Sequence, residues 1–267
     1  MNEKLISFII KAEKGFFKKP DINDGIYLTY NMIHKPAILG ILGAIVGLKG
    51  YEKSKNLPEY YTKLKDIKVG VKPIGSEKGI FQKFVIYYNN STGFANEGES
   101  KKGKNPSGAT LQIFEQTLIA PSYKIYLLLN LDKIFEKQLY ENIKQQEAEY
   151  LPYMGKNDYS LWWTKDEVRE YDWEDFKKDI DFYIDTIFKK EEPVIQNIVE
   201  AIGRRALVEQ KTWFCMFEKL PIGFNEKIFQ YELSDFAYTN ARLKSSINIK
   251  SDNLFKLKND EKVIFLY

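Results

Sequence analysis

The stretch IHKPAILGILGAIVGLKG, residues 33–50, decides how the rest of the chain is read. It carries no charge from Pro36 to Leu48, yet glycine recurs at positions 40, 43, 47 and 50, at spacings of three, four and three. Pro36 suits the first turn of a helix, Asn31 or His34 can cap it, and Gly50 can end it. Such a helix is apolar nearly all round, which predicts burial against a sheet. Each interior glycine costs about 1 kcal/mol against alanine, so glycines at helical spacing imply close approach to that face. They lie inside the helix and not on the turn before it, so the pattern is no phosphate-cradling loop.

Working outward, KLISFIIKA (4–12) reads as a first strand, and EKGFFKKPDINDG (13–25) as a loop rich in turn formers. Beyond the helix, LKDIKVGVKPIG (64–75) alternates, with Ile67, Val69 and Val71 on one face. FQKFVIYYNN (81–90) is a further strand, and ATLQIFEQTLIAPSYKIYLLLN (109–130) reads as two strands broken at Pro121. LDKIFEKQLYENIKQQEAEY (131–150) has helical spacing at Leu131, Ile134, Phe135, Leu139 and Ile143. This order predicts an α+β fold with a ferredoxin-like (RRM-like) domain over 1–150, its sheet covered by helices on one face and open on the other. STGFANEGESKKGKNPSG (91–108) interrupts it as a long loop with four glycines, three lysines and the lone aromatic Phe94. A smaller β-rich C-terminal subdomain is expected over 151–267. Apolar residues at Phe176, Ile180, Tyr183, Ile184 and Ile187 in acid-rich surroundings predict a solvated helical insertion there, at about 165–200.

Composition removes several function classes. One histidine and one cysteine cannot build a Cys/His zinc site, and no calcium loop, Walker-type loop or GxSxG serine occurs, so no metal, cofactor or catalytic residue is assigned. Cys215 allows no internal disulfide and, within TWFCMF, reads as a core residue. The opening MNEKLISFIIKAEKG has too short an apolar run for a secretory signal, and the glycine helix is shorter than the roughly 20 residues of a bilayer span. A soluble cytoplasmic protein with no membrane partner is expected.

The net charge of +3 hides an asymmetry: residues 1–104 hold 18 Lys against 10 acids, the remainder 22 Lys and Arg against 27 acids. Two readings stay open, a polyanion-binding N-terminal half and a solvated lysine-rich surface. In the first, Lys14, Lys18 and Lys19 interleave with Phe16 and Phe17. Tyr27 and Tyr30 then precede His34 and Lys35 at a helix start, which itself can hold a phosphate. Lys101, Lys102 and Lys104 follow Phe94 in the long loop. Lysines attract phosphate, and rings stack on unpaired bases at about 1–3 kcal/mol per base. In the second, the phenylalanines are core and the lysines solvated. His34, the only imidazole, reads as a cap, an RNA contact or a catalyst.

Taken in order, the G-F-F-K-K-P loop, TYNMIHKPAILGILGAIVGLKGY (29–51), EQTLIAPSYKIYL (115–127), YLPYMGKNDY (150–159) and FEKLPIGF (217–224) resemble the CRISPR-associated Cas-five family of the RAMP superfamily, most of all its type I-B branch. The likeness runs from residue 4 to about 243 and is weak near 165–200. It implies a thumb, at 91–108, that grips the 5′ handle of the crRNA with Phe94 or a neighbour wedged between bases. It implies a Cas-seven-type backbone subunit and a Cas-eight-type large subunit as partners, with a Cas-six endonuclease and target DNA met indirectly. It also puts the glycine face of the helix on the sheet, with Tyr30, His34 and Lys35 near RNA.

The type I-C branch cuts precursor RNA with tyrosine, lysine and histidine, but no Lys-His pair follows the thumb here. In type I-B systems a separate enzyme cuts. The expectation is therefore a non-catalytic RNA-binding subunit of a Cascade surveillance complex in antiviral defence. A repeat-cutting ribonuclease and an RNA-free α+β adaptor are the alternatives.

Overall fold

The apolar run from Leu5 to Ile10 becomes the middle strand of the central sheet. The computed structural model of the chain describes residues 2–21, 25–52, 56–76, 78–89, 112–199, 212–258 and 262–267. In chain order it forms β1 (Glu3–Ala12), β2 (Lys14–Gly15), β3 (Ile26–Tyr27), α1 (Lys35–Ile45), α2 (Glu59–Leu64), β4 (Lys68–Pro73), β5 (Lys83–Asn89), β6 (Gln112–Ile119), β7 (Ser122–Asn130) and α3 (Ile134–Gln145). Then come β8 (Leu161–Trp162), β9 (Arg169–Tyr171), β10 (Trp173–Asp175), β11 (Phe188–Lys189), β12 (Cys215–Asn225), β13 (Gln230–Thr239), β14 (Leu254–Leu257) and β15 (Val263–Phe265). The fold is mixed α+β and rich in sheet. No described helix is long and apolar enough to cross a membrane.

The central sheet runs β4-β7-β1-β8, with β9 also on β1, and every pair is antiparallel. Its register places Glu3 opposite Asn130 and Lys11 opposite Ser122. Alternate residues of β1 serve two cores, as a two-residue period requires. Ile6, Phe8 and Ile10 belong to the same cluster as Ile38, Leu42 and Ile45 of α1 and Leu139 and Ile143 of α3. Leu5 joins Tyr126, Phe255, Leu257 and Ile264. The face expected to stay open is thus covered by the β10-β14-β15 sheet, drawn in by Phe255, Leu257 and Ile264.

His34 caps α1, its Nδ1 accepting from the Ala37 N–H at 3.3 Å, and Pro36 sits in the first turn. The helix stops at Ile45, short of Gly50. Gly47 takes a positive φ of 75° and the Leu48 N–H donates to the Gly43 carbonyl at 2.9 Å, the pattern of a Schellman C-terminus. The atoms nearest to a Cβ built at Gly40 or Gly43 all belong to Tyr60 of α2. The close approach read from the glycines is therefore made by a neighbouring helix and not by the sheet, which α1 faces with its isoleucines and leucines.

The expected insertion is not helical: the described residues 165–199 contain short strands and single 3-10 turns but no α-helix. Phe182, Ile184 and Thr186 are buried in alternation, while Ile180 and Tyr183 are exposed. Bridges from Phe182 to Leu243 and from Ile184 to Val263 fix that two-residue period. Beyond it, β12 and β13 form a long antiparallel hairpin with a bulge between Pro221 and Gly223.

Candidate nucleic-acid interface

A second sheet is built on the β5–β6 ribbon, paired from Lys83 opposite Leu118 to Asn89 opposite Gln112. The loop after β1 folds back along β6, with β2 antiparallel at Leu118–Ile119 and β3 parallel at Phe114–Glu115. Among the described residues, three ammonium groups lie over rings carried by the strands of this sheet. Lys14 Nζ is 5.8 Å from the Phe84 ring centre, Lys18 Nζ 3.7 Å from Tyr27, and Lys156 Nζ 4.3 Å from Tyr88. A cation held on a ring face keeps N–H donors for a further acceptor.

Lys156 also anchors the loop that follows α3. It donates to both oxygens of the buried Glu115, at 3.2 and 3.3 Å, and to the Tyr88 hydroxyl at 3.1 Å, while the Tyr159 hydroxyl donates to Glu115 at 3.2 Å. The ribbon is thereby tied to the YLPYMGKNDY segment. The ribbon's tip leads into residues 90–111, so the candidate thumb with Phe94, Lys101, Lys102 and Lys104 lies outside the described residues.

The other sequence-derived candidates divide sharply. Lys14 and Lys18 are exposed and Tyr27 is half-buried. Lys19 is half-buried, 3.7 Å from Glu218 and 5.2 Å from the Tyr30 ring centre. Phe16, Tyr30 and His34 are buried, so as core side chains they offer no open ring face. The His34 ring meets Phe17, Tyr30 and Tyr231 edge-on at 5.9, 5.4 and 5.4 Å, and burial lowers its pKa to about 3, leaving it neutral. Lys35 donates to the main-chain oxygen of Tyr267 at 3.0 Å, and burial lowers its pKa to about 8. The start of α1 is thus occupied by protein and is not an open phosphate site.

Sequence reading missed the groups that hold this region. Glu218 of FEKLPIGF accepts the main-chain N–H groups of Asn31 and Met32, at 2.8 and 2.9 Å. Burial raises its pKa, against those two donors and the charges of Lys19 and Lys83. Asn31 does not cap the helix: its amide donates to the Gly79 carbonyl at 2.6 Å and accepts from the Phe81 N–H at 2.9 Å. The only sequence signal for either was its place in a motif.

Beside the lysine loop, a groove of about 460 Å³ opens over one side of α1. Ala37, Gly40 and Ala44 line it from the helix, together with His34 and Lys18. Tyr51, Tyr150 and Tyr153 also line it and are 63%, 54% and 46% exposed. Among the described residues, no group of His, Cys, Asp and Glu side chains is arranged to hold a metal.

No protein-family model matches the chain, and no curated protein matches it. Among solved structures it is similar to a chain of a CRISPR RNA-guided surveillance complex, at 12% identity over 89% of this chain and 90% of that one, with a TM-score of 0.49. It is similar to a CRISPR protein from Archaeoglobus fulgidus, at 12% identity over 98% of each chain and a TM-score of 0.46. A chain of type III-B Cmr-beta bound to cognate target RNA and AMPPnP is also similar, at 11% identity over 97% and 99% with a TM-score of 0.49.

Proposed function

We propose that this chain is a non-catalytic crRNA-binding subunit of a CRISPR surveillance complex, of the type I-B Cas-five kind. The observation that carries the proposal is the pairing of exposed Lys14 and Lys18 with Phe84 and Tyr27 on the sheet whose ribbon leads to the lysine-rich segment 91–108. Cations beside rings combine phosphate attraction with base stacking, the chemistry that single-stranded RNA calls for. The order β4-β7-β1-β8, with α1 between β1 and β4 and α3 between β7 and β8, supports a ferredoxin-like reading of the central sheet. The five motifs in order support the family, and with it Cas-seven-type and Cas-eight-type neighbours. A non-catalytic role is supported by His34, whose Nδ1 is engaged in a helix cap and whose depressed pKa makes it a poor base at neutral pH.

The test is to co-express the tagged chain with its genomic neighbours and a CRISPR array, then sequence the RNA that co-purifies. Guide RNAs of uniform length sharing one 5′ handle, with backbone and large subunits present, are expected. A complex without RNA, or with random RNA, overturns the proposal. Replacing Lys14 and Lys18 with glutamate should weaken handle binding and lower the slope of log affinity against log salt by roughly 0.7 for each phosphate that is no longer neutralised. An unchanged slope removes this face from the RNA path.

A further inference from the structure

We infer that the groove on α1 takes one unstacked nucleobase of the bound RNA, its flat ring lying over Ala37, Gly40 and Ala44 and an acceptor of its edge meeting His34. This rests on the RNA-binding reading and assigns a pocket to it. The tautomer of His34 follows from its cap. Because Nδ1 accepts the Ala37 N–H, the ring proton sits on Nε2. His34 is 4% exposed, lines the groove, and makes no hydrogen bond through Nε2 among the described residues. That N–H is not among the buried atoms left without a partner, so it keeps access to the groove, where a carbonyl oxygen or ring nitrogen of a base can accept from it.

The remaining lining selects for the same ligand. Small residues at 37, 40 and 44 leave a shallow helix surface, and the exposed rings of Tyr51, Tyr150 and Tyr153 provide stacking area. Lys18 is the one charged side chain among the described lining residues, and with it the site suits a neutral ring with a phosphate at its edge. Lys18 also lies on Tyr27, which makes the groove continuous with the proposed RNA face. A volume near 460 Å³ is within the range of small-ligand sites.

Gly40→Leu fills the groove from its floor. A Cβ there meets only the Tyr60 ring, at 3.7–3.9 Å, so the helix accepts the change. Tyr150→Ala/Tyr153→Ala removes stacking area from exposed positions and is the second variant. Binding to labelled RNA decamers of uridylate, cytidylate, adenylate and alternating guanylate–uridylate is measured by fluorescence anisotropy, with the full chain, at several salt concentrations. Both variants should bind at least one decamer about 5- to 150-fold more weakly, the loss of one stacked base, with the salt slope of the wild type retained. If the wild type binds and both variants match it, the groove inference falls while the RNA reading stands. If the variants keep RNA but lose a protein subunit in the co-expressed complex, the groove holds protein and the inference is overturned. If the wild type binds none of the decamers, the groove inference is overturned, and the RNA reading is decided separately by the RNA that co-purifies with the complex.

Discussion

Gly40→Ala and Gly43→Ala, three residues apart on one helix, should move stability in opposite directions. Both exchanges relieve the entropy of a helical glycine, about 1 kcal/mol in favour of alanine. At Gly40 the new methyl meets the Tyr60 ring at 3.7 Å or more, ordinary van der Waals contact, so most of that gain survives. At Gly43 it overlaps the Tyr60 Cβ and comes within 3.1 Å of Cγ and 3.6 Å of the main-chain Cα. A Cβ cannot rotate away from its own backbone, so α2 itself must shift, and such overpacking costs about 1–3 kcal/mol. Gly43→Ala should therefore be less stable than Gly40→Ala by about 1–3 kcal/mol, each kcal/mol amounting to about 2–4 °C in Tm for a chain of this size. Urea unfolding followed by intrinsic fluorescence reads the difference directly. In a Tyr60→Gly background the obstructing atom is gone and the difference should collapse. Equal stability of the two alanine variants, or a difference that survives in that background, would refute the assignment of the glycine face to α2.

Three further outcomes are expected. His34 has a folded pKa of about 3 against the usual 6.5, so its contribution to stability is intact above about pH 6.5 and is lost as pH falls towards 3, by at most about 1.4 kcal/mol per pH unit. The rings against it, Phe17, Tyr30 and Tyr231, carry no charge in that range, and Glu218, with its raised pKa, works in the opposite sense. His34→Asn keeps a capping acceptor and should flatten the dependence of the urea midpoint between pH 6.5 and 4.5; an unaltered slope would contradict the burial of the imidazole. Lys156→Met leaves the Glu115 carboxylate buried with, among the described residues, hydroxyl partners only, at a cost of about 1–3 kcal/mol that Glu115→Gln in the same chain should largely restore, as a double-mutant cycle will report. Gly155, at φ 81°, admits no Cβ, which would strike the Phe16 carbonyl oxygen and come within 2.9 Å of Phe17 Cδ1; Gly155→Ala should cost about 2–5 kcal/mol by calorimetry, and a near-neutral result would mean that the 150–159 loop does not pack on the lysine loop as described.

Local signals carried the parts of the fold that need no distant partner. The strand at 4–12, the break at Pro121 between β6 and β7, and the His34–Pro36 start of α1 follow from hydropathy period, a missing N–H and capping chemistry within a few residues. Periodicity says which residues hide but not what hides them. Tyr60 lies beyond the turn after α1, and only the packed chain put it on Gly43. The spacing from Phe176 to Ile187 satisfied a helix, yet isolated bridges to Leu243 and Val263 imposed an extended, alternating path, because pairing partners far along the chain outweigh a weak local preference. The site divides in the same way. Lys14, Lys18 and Tyr27 were legible as cations interleaved with rings, whereas the burial of Phe16, Tyr30 and His34 and the bond from Lys35 to Tyr267 were not, since a lysine-flanked aromatic reads alike in core and on surface. Glu218 reaches Asn31 across 187 residues, and Lys156 reaches Glu115 across 41, so the carboxylates that fix this face emerge only from tertiary contact. By itself the sequence determined the first strands, the start of α1, α3, the charge asymmetry and the motif order. The tertiary structure decided which of the cations stand in water and which are consumed within the protein, because burial and ion pairing are properties of neighbours that the chain brings together only when folded.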